Sequence, residues 1–293
     1  MDLQAAASFL ATHGRQLDRR RFEYLLAGPG ADPGPVLAAV DAYRNADGGY
    51  GWGLEPDLRA PESQPGGALH ALEVFAEAGP TPRSVEVCDW LGRVALPDGG
   101  MPFALPVADP TGCAPFWVDA DPGVSSLQST AFVAGVAHQV AARDPAVAAH
   151  PWLAAATRYC LDAVAALDAR PHAIELSFAI GFLDAVHDTH PEADALLDRL
   201  AAFVPPDGLV PVDGGSDGET MRPLDFAPLP DRPARRLFTP EVIAADLARV
   251  AGGQQDDGGW RVDFASFSPA AEMEWRGYAT VGAMNMLTAN GIR

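Results

Sequence analysis

An Asp-Gly dipeptide recurs along the chain at a nearly constant interval. The chain has six Asp-Gly dipeptides, and four of them, which begin at Asp47, Asp98, Asp207 and Asp257, are widely spaced; three of these four continue with a second glycine. The intervals are 51, 109 and 50 residues, so the middle one is close to two periods. A period of this length is typical of a chain built from repeated helical hairpins. We expect the glycines to form tight turns within that repeat and not a phosphate-binding loop.

Amphipathic segments precede the turns, and more apolar segments follow them. The preceding segments repeat their apolar residues at intervals of three and four, and they begin at Pro33, Ser84, Glu192 and Thr239. The following segments carry few charges and many small residues, which is expected of helices buried on nearly all sides. They begin near Gly66, Ser125, Ala173 and Arg276. The pattern therefore predicts an outer and an inner layer of helices.

The rest of the chain completes the repeat. A helical segment from His150 fills the long interval, residues 2–13 and 16–27 form an N-terminal pair, and residues 222–233 form a weak sixth pair. Residues 1–293 are thus predicted to be one all-α domain of about twelve helices in two concentric layers, an (α/α)6 toroid. No segment keeps a period of two, so no sheet is predicted.

The charge balance excludes several classes of partner and chemistry. The chain has 39 acidic and 20 basic residues and a net charge of -19, which opposes binding to nucleic acid or to an anionic membrane. All twenty basic residues are Arg, so neither a lysine Schiff base nor the usual phosphate-binding loop with its lysine is available. The composition does not indicate an oligomeric state.

The location of the protein is predicted from what the sequence lacks. No stretch reaches the roughly 18 consecutive apolar residues of a membrane-spanning helix, and the first residues do not form a leader pattern. Cys88, Cys113 and Cys160 are widely spaced, as in proteins of a reducing compartment. We expect a cytoplasmic protein without an integral membrane segment.

The repeat and one motif resemble the terpenoid cyclase and protein prenyltransferase toroids, a family that includes squalene-hopene cyclase. In QQDDGGW, residues 254–260, Gln254, Gly258 and Trp260 match the family's Q-x3-G-x-W repeat motif, and NADGGYGW, residues 45–52, is a degenerate copy. The resemblance implies an α/α toroid with an apolar, isoprenoid-type ligand in its central cavity. It is less specific for activity, because one fold hosts several chemistries.

The family's proton-initiated cyclases carry a D-x-D-D-T-A motif whose middle Asp protonates an alkene. The stretch that resembles it here is SLQSTA, residues 126–131, where Ser126, Gln128 and Ser129 stand in place of the three acids. The family's metal-dependent branches use D-D-x-x-D or an Asp-Cys-His zinc set, and neither pattern occurs at Asp256 or Cys113. The resemblance therefore implies chemistry without metal or cofactor and with a relocated acid, if the protein is an enzyme.

Several carboxylates are candidates for that acid. Acid initiation needs a carboxyl group that stays protonated in a dry site, with aromatic side chains that stabilise a carbocation. The candidates are Asp119 and Asp121 in FWVDADPG, Glu175 in the apolar AIELSFAIGF, and Glu55 and Asp57 after GYGWG. The predicted ligand-binding side chains are Trp52, Trp117, Gln128, Phe178, Phe182, Trp275 and Tyr278.

Each candidate also has a purely structural interpretation. Glu175 suits the first turn of a helix, where it interacts with the helix dipole, and Asp57 can pair with Arg59. Glu272 and Glu274 suit a solvated rim, and Trp275 and Tyr278 suit packing. Histidines in or beside the inner segments, namely His70, His138 and His172, are either terminal bases or hydrogen-bonded core residues.

Two other functions fit the same sequence. A toroid whose cyclase acids are replaced can bind a lipid, another small molecule or a partner without catalysis. The fold also occurs in carbohydrate-active enzymes, for which Trp52 beside Glu55 and Asp57, or Trp117 beside Asp119 and Asp121, would supply a platform with paired carboxylates. Our first expectation is the isoprenoid ligand with acid-initiated cyclisation or isomerisation.

Overall fold

A computed structural model describes residues 1–292 of the protein. The chain is 56% helical, which confirms the all-α class. In chain order the helices within that range are α1 (Leu3–Thr12), α2 (Gln16–Ala27), α3 (Gly34–Asp41), α4 (Pro65–Ala78), α5 (Pro82–Val94), α6 (Pro115–Val118), α7 (Leu127–Ala141), α8 (Pro145–Ala148), α9 (Pro151–Ala166), α10 (Ala173–Val186), α11 (Glu192–Ala201), α12 (Pro223–Phe226), α13 (Pro240–Gly252) and α14 (Pro269–Ala289).

The helices differ from the predicted ones mainly in short additions. Helices α6, α8 and α12 each have four residues and lie in connections, where a single turn has no readable period. The weak sixth pair contains only α12 and the first residue of a 3₁₀ helix, Pro233–Leu237. Helix α14 begins at Pro269 instead of Arg276, because Ser268 caps it by accepting the backbone N–H of Ala271.

Two small ladders interrupt the helical pattern. Strand β1 (Met101–Pro102) pairs antiparallel with β2 (Ser125–Ser126), with Met101 opposite Ser126. Strand β3 (Val210–Pro211) pairs in the same way with β4 (Thr220–Met221). Each strand has two residues, which is too short to show a period of two in the sequence.

The chain separates into two compact units. Unit 1 contains Met1–Ala39 and the chain from Ala201 onward, and unit 2 contains Val40–Leu200. The single domain over residues 1–293 stays a prediction. No helix within residues 1–292 is both long and apolar enough to cross a membrane.

Unit 2 is built around α7, which packs against α4, α9 and α10. Small residues permit this close packing: a Cβ on Gly135 of α7 would lie 3.4 Å from the Cα of Phe182 on α10. Both partners of α7 in the predicted inner layer are apolar on most sides, and Leu72, Phe75 and Leu183 are fully buried. Helices α4, α7 and α10 therefore form the buried part of this unit, as their composition predicted.

Unit 1 is built around α14, which packs against α1, α2 and α13. Its core includes Phe9, Leu10, Phe22, Trp260 and Leu287. Trp260 is 5% exposed and donates its indole N–H to the carbonyl of Val250 at 2.7 Å. This tryptophan of the repeat motif thus ties the end of α13 to the core.

The four spaced Asp-Gly turns, at Asp47, Asp98, Asp207 and Asp257, share one geometry, which confirms that they are structural turns. The Asp side chain accepts the backbone N–H two residues later, at distances of 2.9 to 3.1 Å. The glycine that follows the Asp has φ between 71° and 93°, the left-handed region that favours glycine; these residues are Gly48, Gly99, Gly208 and Gly258.

Three of these turns also press against the backbone of a helix elsewhere in the sequence. A Cβ on Gly48 would lie 3.3 Å from the carbonyl oxygen of Glu86 on α5, and one on Gly99 would lie 2.7 Å from that of Ala155 on α9. At Gly258 the corresponding distance, to the carbonyl oxygen of Ala5 on α1, is 2.2 Å. Each of these glycines therefore serves both the turn and a close helix contact.

Candidate functional site

Part of the predicted site residues of unit 2 lie near the N-terminal ends of α4, α7 and α10. The loops before these helices are tied together: Gln64 exchanges two hydrogen bonds with the backbone of Leu105, at 2.8 and 3.0 Å. Ser129 of α7 donates to the carbonyl of Phe103 at 3.3 Å, and the backbone N–H of Gln128 donates to the carboxylate of Glu175. We call this region the α4/α7/α10 site.

Glu175 lies in the first turn of α10, half-buried. Burial raises its pKa, while the N–H of Gln128 and the charge of His172 act in the opposite direction. The bond to the backbone N–H of Gln128 brings the carboxylate of Glu175 to the first turn of α7. The two residues are 47 positions apart and meet because α7 and α10 pack side by side.

Aromatic rings accompany Glu175 on the same two helices. Phe178 lies one turn after Glu175 on α10, and its ring centroid is 4.0 Å from that of Phe132 on α7. Both rings are half-buried. Phe182, one turn further, is only 1% exposed and packs at 6.3 Å from the ring of His138, so it belongs to the core of unit 2.

Hydroxyl side chains at the start of α7 have structural roles. Ser126 caps α7 by accepting the backbone N–H of Ser129 at 3.2 Å. Thr130 is fully buried, donates to the carbonyl of Ser126 and accepts the N–H of Met101 at 2.8 Å. The start of α7 is therefore held by neutral hydroxyl groups.

A buried chain of charged side chains lies at α4. His70 Nε2 is 2.9 Å from Oε2 of Glu55, and His70 Nδ1 is 3.0 Å from Oε2 of Glu73. Burial alone would lower the pKa of His70, but Glu73 and Glu55 outweigh it and raise the pKa to about 9. Both ring nitrogens face carboxylate oxygens, and with this raised pKa His70 at neutral pH is an imidazolium that donates to both and is not available as a base.

Glu55 is positioned from two sides. Its Oε1 accepts the backbone N–H of Asp57 at 3.2 Å, in addition to the bond from His70. Asp57 is 4% exposed, and its carbonyl accepts the N–H of Ala114 at 2.8 Å, which joins the two loops of the site. Glu55 and Asp57 therefore lie on the inner side of their loop.

Trp117 stands beside Glu55. Its ring stacks on Phe103 at 4.5 Å, and a Cβ built on Gly66 would lie within 4 Å of both Trp117 and Glu55. The indole N–H is buried and has no hydrogen-bond partner within residues 1–292. Trp117 thus brings an aromatic surface and an unused donor to the site.

Other predicted residues lie in solvent. Trp52 is 59% exposed, is the only non-glycine residue of the described chain with a positive φ, 58°, and donates its indole N–H to Asn45 Oδ1 at 2.8 Å. Asp119 and Asp121 are exposed, and Asp121 accepts the N–H of Gly123 in a turn at 2.8 Å. Both carboxyl groups therefore lie outside the dry environment that the predicted proton donor needs.

The predicted residues of unit 1 form a separate aromatic group. Trp275 and Tyr278 meet edge to face at 5.5 Å, and Phe264 packs on Trp275 at 5.1 Å. The guanidinium of Arg21 lies 5.5 Å from the centre of the Tyr278 ring. This cation lies on an aromatic face in the manner of a packing contact.

The sequence did not predict three residues of the site. Glu73, Phe103 and Phe132 belong to no motif, although the spacing of His70 and Glu73 on one helix was a usable signal.

Two of the histidines considered as bases have structural roles. His138 Nε2 is 2.7 Å from Thr157 Oγ1, and burial lowers the pKa of His138 to about 4. His172 caps α10.

Comparison with protein-family models and with curated proteins identifies no relative. No protein-family model matches the sequence, and no curated protein matches it. Among residues 1–292, no group of three or more His, Cys, Asp and Glu side chains is arranged to hold a metal ion.

Proposed function

We propose that the protein is a terpenoid-cyclase-like α/α toroid that holds an apolar, isoprenoid-type ligand in a central cavity and isomerises or cyclises it without metal. Glu175 is the proton donor of this reaction. The observation that carries the proposal is the position of its carboxyl group, which is partly buried and bonds to the first turn of α7. The paired rings of Phe178 and Phe132 lie one helical turn away.

The repeated turn supports the toroid. The turns at Gly48 and Gly99 press on the outer helices α5 and α9 that follow them in the repeat. The last turn, at Gly258, presses in the same way on α1, the first helix of the chain. In addition, Gln254 of the repeat motif bonds both the N–H and the carbonyl of Asp2, each at 2.8 Å. A last repeat that contacts the first one is what a closed ring of hairpins requires.

The chemistry assigned to Glu175 is a proton transfer to carbon. The carboxyl O–H breaks, a C–H bond forms at one alkene carbon, and a carbocation develops at the other. After rearrangement or ring closure, a carbon next to the cation loses a proton to the Glu175 carboxylate, which leaves a neutral alkene and restores the acid. Burial raises the pKa of Glu175 and so favours the protonated form that donates. The rings of Phe178 and Phe132 supply negative faces for the cation.

A ligand-binding protein without catalysis is the second candidate. It is favoured by the start of α7, where Ser126 and Thr130 stabilise the helix and none of the motif's acids is present. In that case Glu175 is a capping carboxylate for the backbone N–H of Gln128. The ligand would then leave the protein chemically unchanged.

The carbohydrate alternative has weaker support. Its mechanism needs two carboxyl groups that face each other across an open cleft. Glu55 and Asp57 are instead both buried, and the backbone N–H of Asp57 bonds to the carboxylate of Glu55. Trp52 is exposed but is held by Asn45 at the other side of that loop.

The test uses linear isoprenoids in deuterated water with EDTA present. Farnesol, geranylgeraniol and squalene are incubated with the protein, and products are analysed by gas chromatography and mass spectrometry. We expect an isomer or cyclic product that carries one deuterium from the donor carboxyl group. Glu175→Gln should abolish this product and keep binding, since the amide has nearly the same shape.

Asp162→Asn is the matched control, because it removes one negative charge from an exposed position on α9. It should convert the probes as the wild type does. Full turnover by the Glu175→Gln variant would refute the donor assignment. Binding of a probe without any product in the wild type would favour the non-catalytic candidate, and neither binding nor product would refute both.

A further inference from the structure

A long loop joins the two strands of the first ladder. Residues 103–124, which we call the β1–β2 loop, run between β1 and β2 and contain one four-residue helix, α6. Connections in compact domains usually have fewer than about 15 residues, and longer ones are commonly binding loops or lids. Because β1 pairs with β2, the two ends of this loop lie side by side.

The base of the β1–β2 loop is firmly held. Met101 of β1 is fully buried, and its backbone N–H donates to Thr130 Oγ1 on α7 at 2.8 Å. On the other strand, Ser125 donates its hydroxyl hydrogen to Oδ1 of Asp98, in the preceding Asp-Gly turn, at 2.6 Å. A movement of the loop must therefore pivot at this ladder.

The body of the loop, in contrast, buries very little. Among residues 103–124, all of which the structure describes, only Ala104 and Ala114 are buried, and neither has a large side chain. The larger apolar side chains of Phe116 and Val124 are 47% and 59% exposed. A segment with so few buried apolar contacts opens at a much lower free-energy cost than the whole domain.

Hydrogen bonds join the body of the loop to one short segment, residues 57–64, which precedes α4. Leu105 exchanges two bonds with the side chain of Gln64, which is 1% exposed. The N–H of Ala114 donates to the carbonyl of Asp57 at 2.8 Å. These bonds belong neither to a helix nor to the ladder, so they can break together while the helices of unit 2 stay folded.

The loop also contacts the first turns of two helices of the α4/α7/α10 site. The carbonyl of Phe103 accepts the hydroxyl of Ser129 at 3.3 Å, in the same turn of α7 that bonds Glu175. At α4, Cη2 of Trp117 lies 3.9 Å from the position of a Cβ on Gly66. An open loop therefore uncovers the helix ends beside Glu175.

We propose that the β1–β2 loop is a lid, which pivots at its ladder, is held closed by Gln64, and opens to admit the ligand to Glu175. Prolines stiffen the lid, so that it moves as one piece; they are Pro106, Pro110, Pro115 and Pro122. Gln64 is a positioning residue, because it acts through the lid and not on the ligand. The identity of the ligand rests on the proposed function, whereas the opening of the lid does not.

Residue-resolved hydrogen exchange tests the opening without any ligand. In the wild type, we expect the hydrogen-bonded N–H groups of Leu105 and Ala114 to exchange at least about a hundredfold faster than those inside α7, and with a weaker dependence on denaturant, because local opening exposes little surface. Gln64→Met removes both bonds to Leu105 and should speed exchange of these two groups about tenfold further, while α7 keeps its rate. Gln139→Met, at an exposed position of α7, is the matched control and should change neither rate.

Stopped-flow binding of farnesol tests whether the lid controls access, with Glu175→Gln present throughout to prevent turnover. Adding Gln64→Met should raise the association and the dissociation rate constants together, each about tenfold, because the free and the bound protein break the same two bonds. The equilibrium dissociation constant should stay nearly the same. A residue that only shapes the site would change that constant instead.

Two results would overturn the lid. One is exchange of Leu105 and Ala114 with the rate and the denaturant dependence of α7, because the loop would then open only on global unfolding. The other is unchanged binding rates in a Gln64→Met variant whose exchange is faster, since the ligand would then enter elsewhere. Absence of farnesol binding in the wild type would instead count against the proposed function, and hydrogen exchange would still decide whether the loop opens.

Discussion

The carboxylate of Glu55 and the imidazole of His70 are joined by a 2.9 Å hydrogen bond that is buried on both sides. Glu55 belongs to a loop and His70 to α4, so this bond anchors the loop to the helix. Glu73 holds the second ring nitrogen at 3.0 Å. The protonation of one histidine therefore controls how firmly the loop from Trp52 to Asp57 is attached.

The first prediction is that the free energy of unfolding falls in alkaline solution, where His70 loses its proton. The pKa of His70 is raised from 6.5 to about 9 in the folded protein. Its contribution is fully present below pH 6.5 and is lost as pH rises through about 9, because the folded state then loses the proton it held more tightly. His70→Gln should cost about 3 kcal/mol below pH 6.5.

Urea unfolding of the wild type and the variant on both sides of this pH range checks the prediction. The difference between the two proteins should shrink toward zero above pH 9. His172→Gln is a matched control, because His172 is an exposed cap of α10. A difference for His70→Gln that does not change with pH would contradict an imidazolium between two carboxylates.

Much of the fold was readable from the sequence because its repeat is local. The turn at Asp47 needs only a glycine with positive φ and an Asp that bonds two residues ahead, and both signals lie within three residues. The burial of α4, α7 and α10 followed from the contrast between amphipathic and uniformly apolar helices. The short α6, α8 and α12 were invisible because one turn has no period.

The site was less predictable because its contacts join distant positions. Glu175 meets Gln128 only through the packing of α10 on α7, and Trp117 meets Glu55 only because two loops are tied together. The periodicity of each segment contains no information on such contacts. The periodicity also does not indicate that Phe182 points into the core while Phe178 lies beside another ring.

The second prediction concerns Gly258, whose replacement should be severely destabilising. Its φ is 93°, and a Cβ would lie 2.2 Å from the carbonyl oxygen of Ala5. Gly258→Ala combines backbone strain with a backbone clash and should cost more than about 3 kcal/mol. Gly282→Ala, in an open position on α14, should instead gain about 0.5–1 kcal/mol. Thermal unfolding of both variants would show whether the turn has this dual role, and equal melting temperatures would exclude it.

The third prediction concerns the attachment of α1 by Gln254. Its amide exchanges two bonds with the backbone of Asp2 and donates a third, at 3.0 Å, to Gly258. Gln254→Ala should cost about 1–3 kcal/mol and speed hydrogen exchange in the first turn of α1. Gln255→Ala is the control, since the one bond of that side chain among residues 1–292 goes to the nearby carbonyl of Gly253. Unchanged exchange in α1 would show that the motif glutamine does not hold the helix.

The last prediction is that replacing Glu175 keeps or raises the stability of the folded protein but removes proton transfer. Burial raises the pKa of this carboxyl group, so its ionised form destabilises the folded protein relative to the protonated form. The folded protein should therefore lose stability as pH rises through the pKa of Glu175. Glu175→Gln removes this ionisation and should unfold at an equal or higher temperature than the wild type at neutral pH, although it should lose proton transfer to the isoprenoid probes. Thermal unfolding at acidic and neutral pH measures the first effect, and deuterium incorporation measures the second. A variant that is less stable at neutral pH than the wild type would identify Glu175 as a structural cap for Gln128, because a cap is weakened by the loss of its charge.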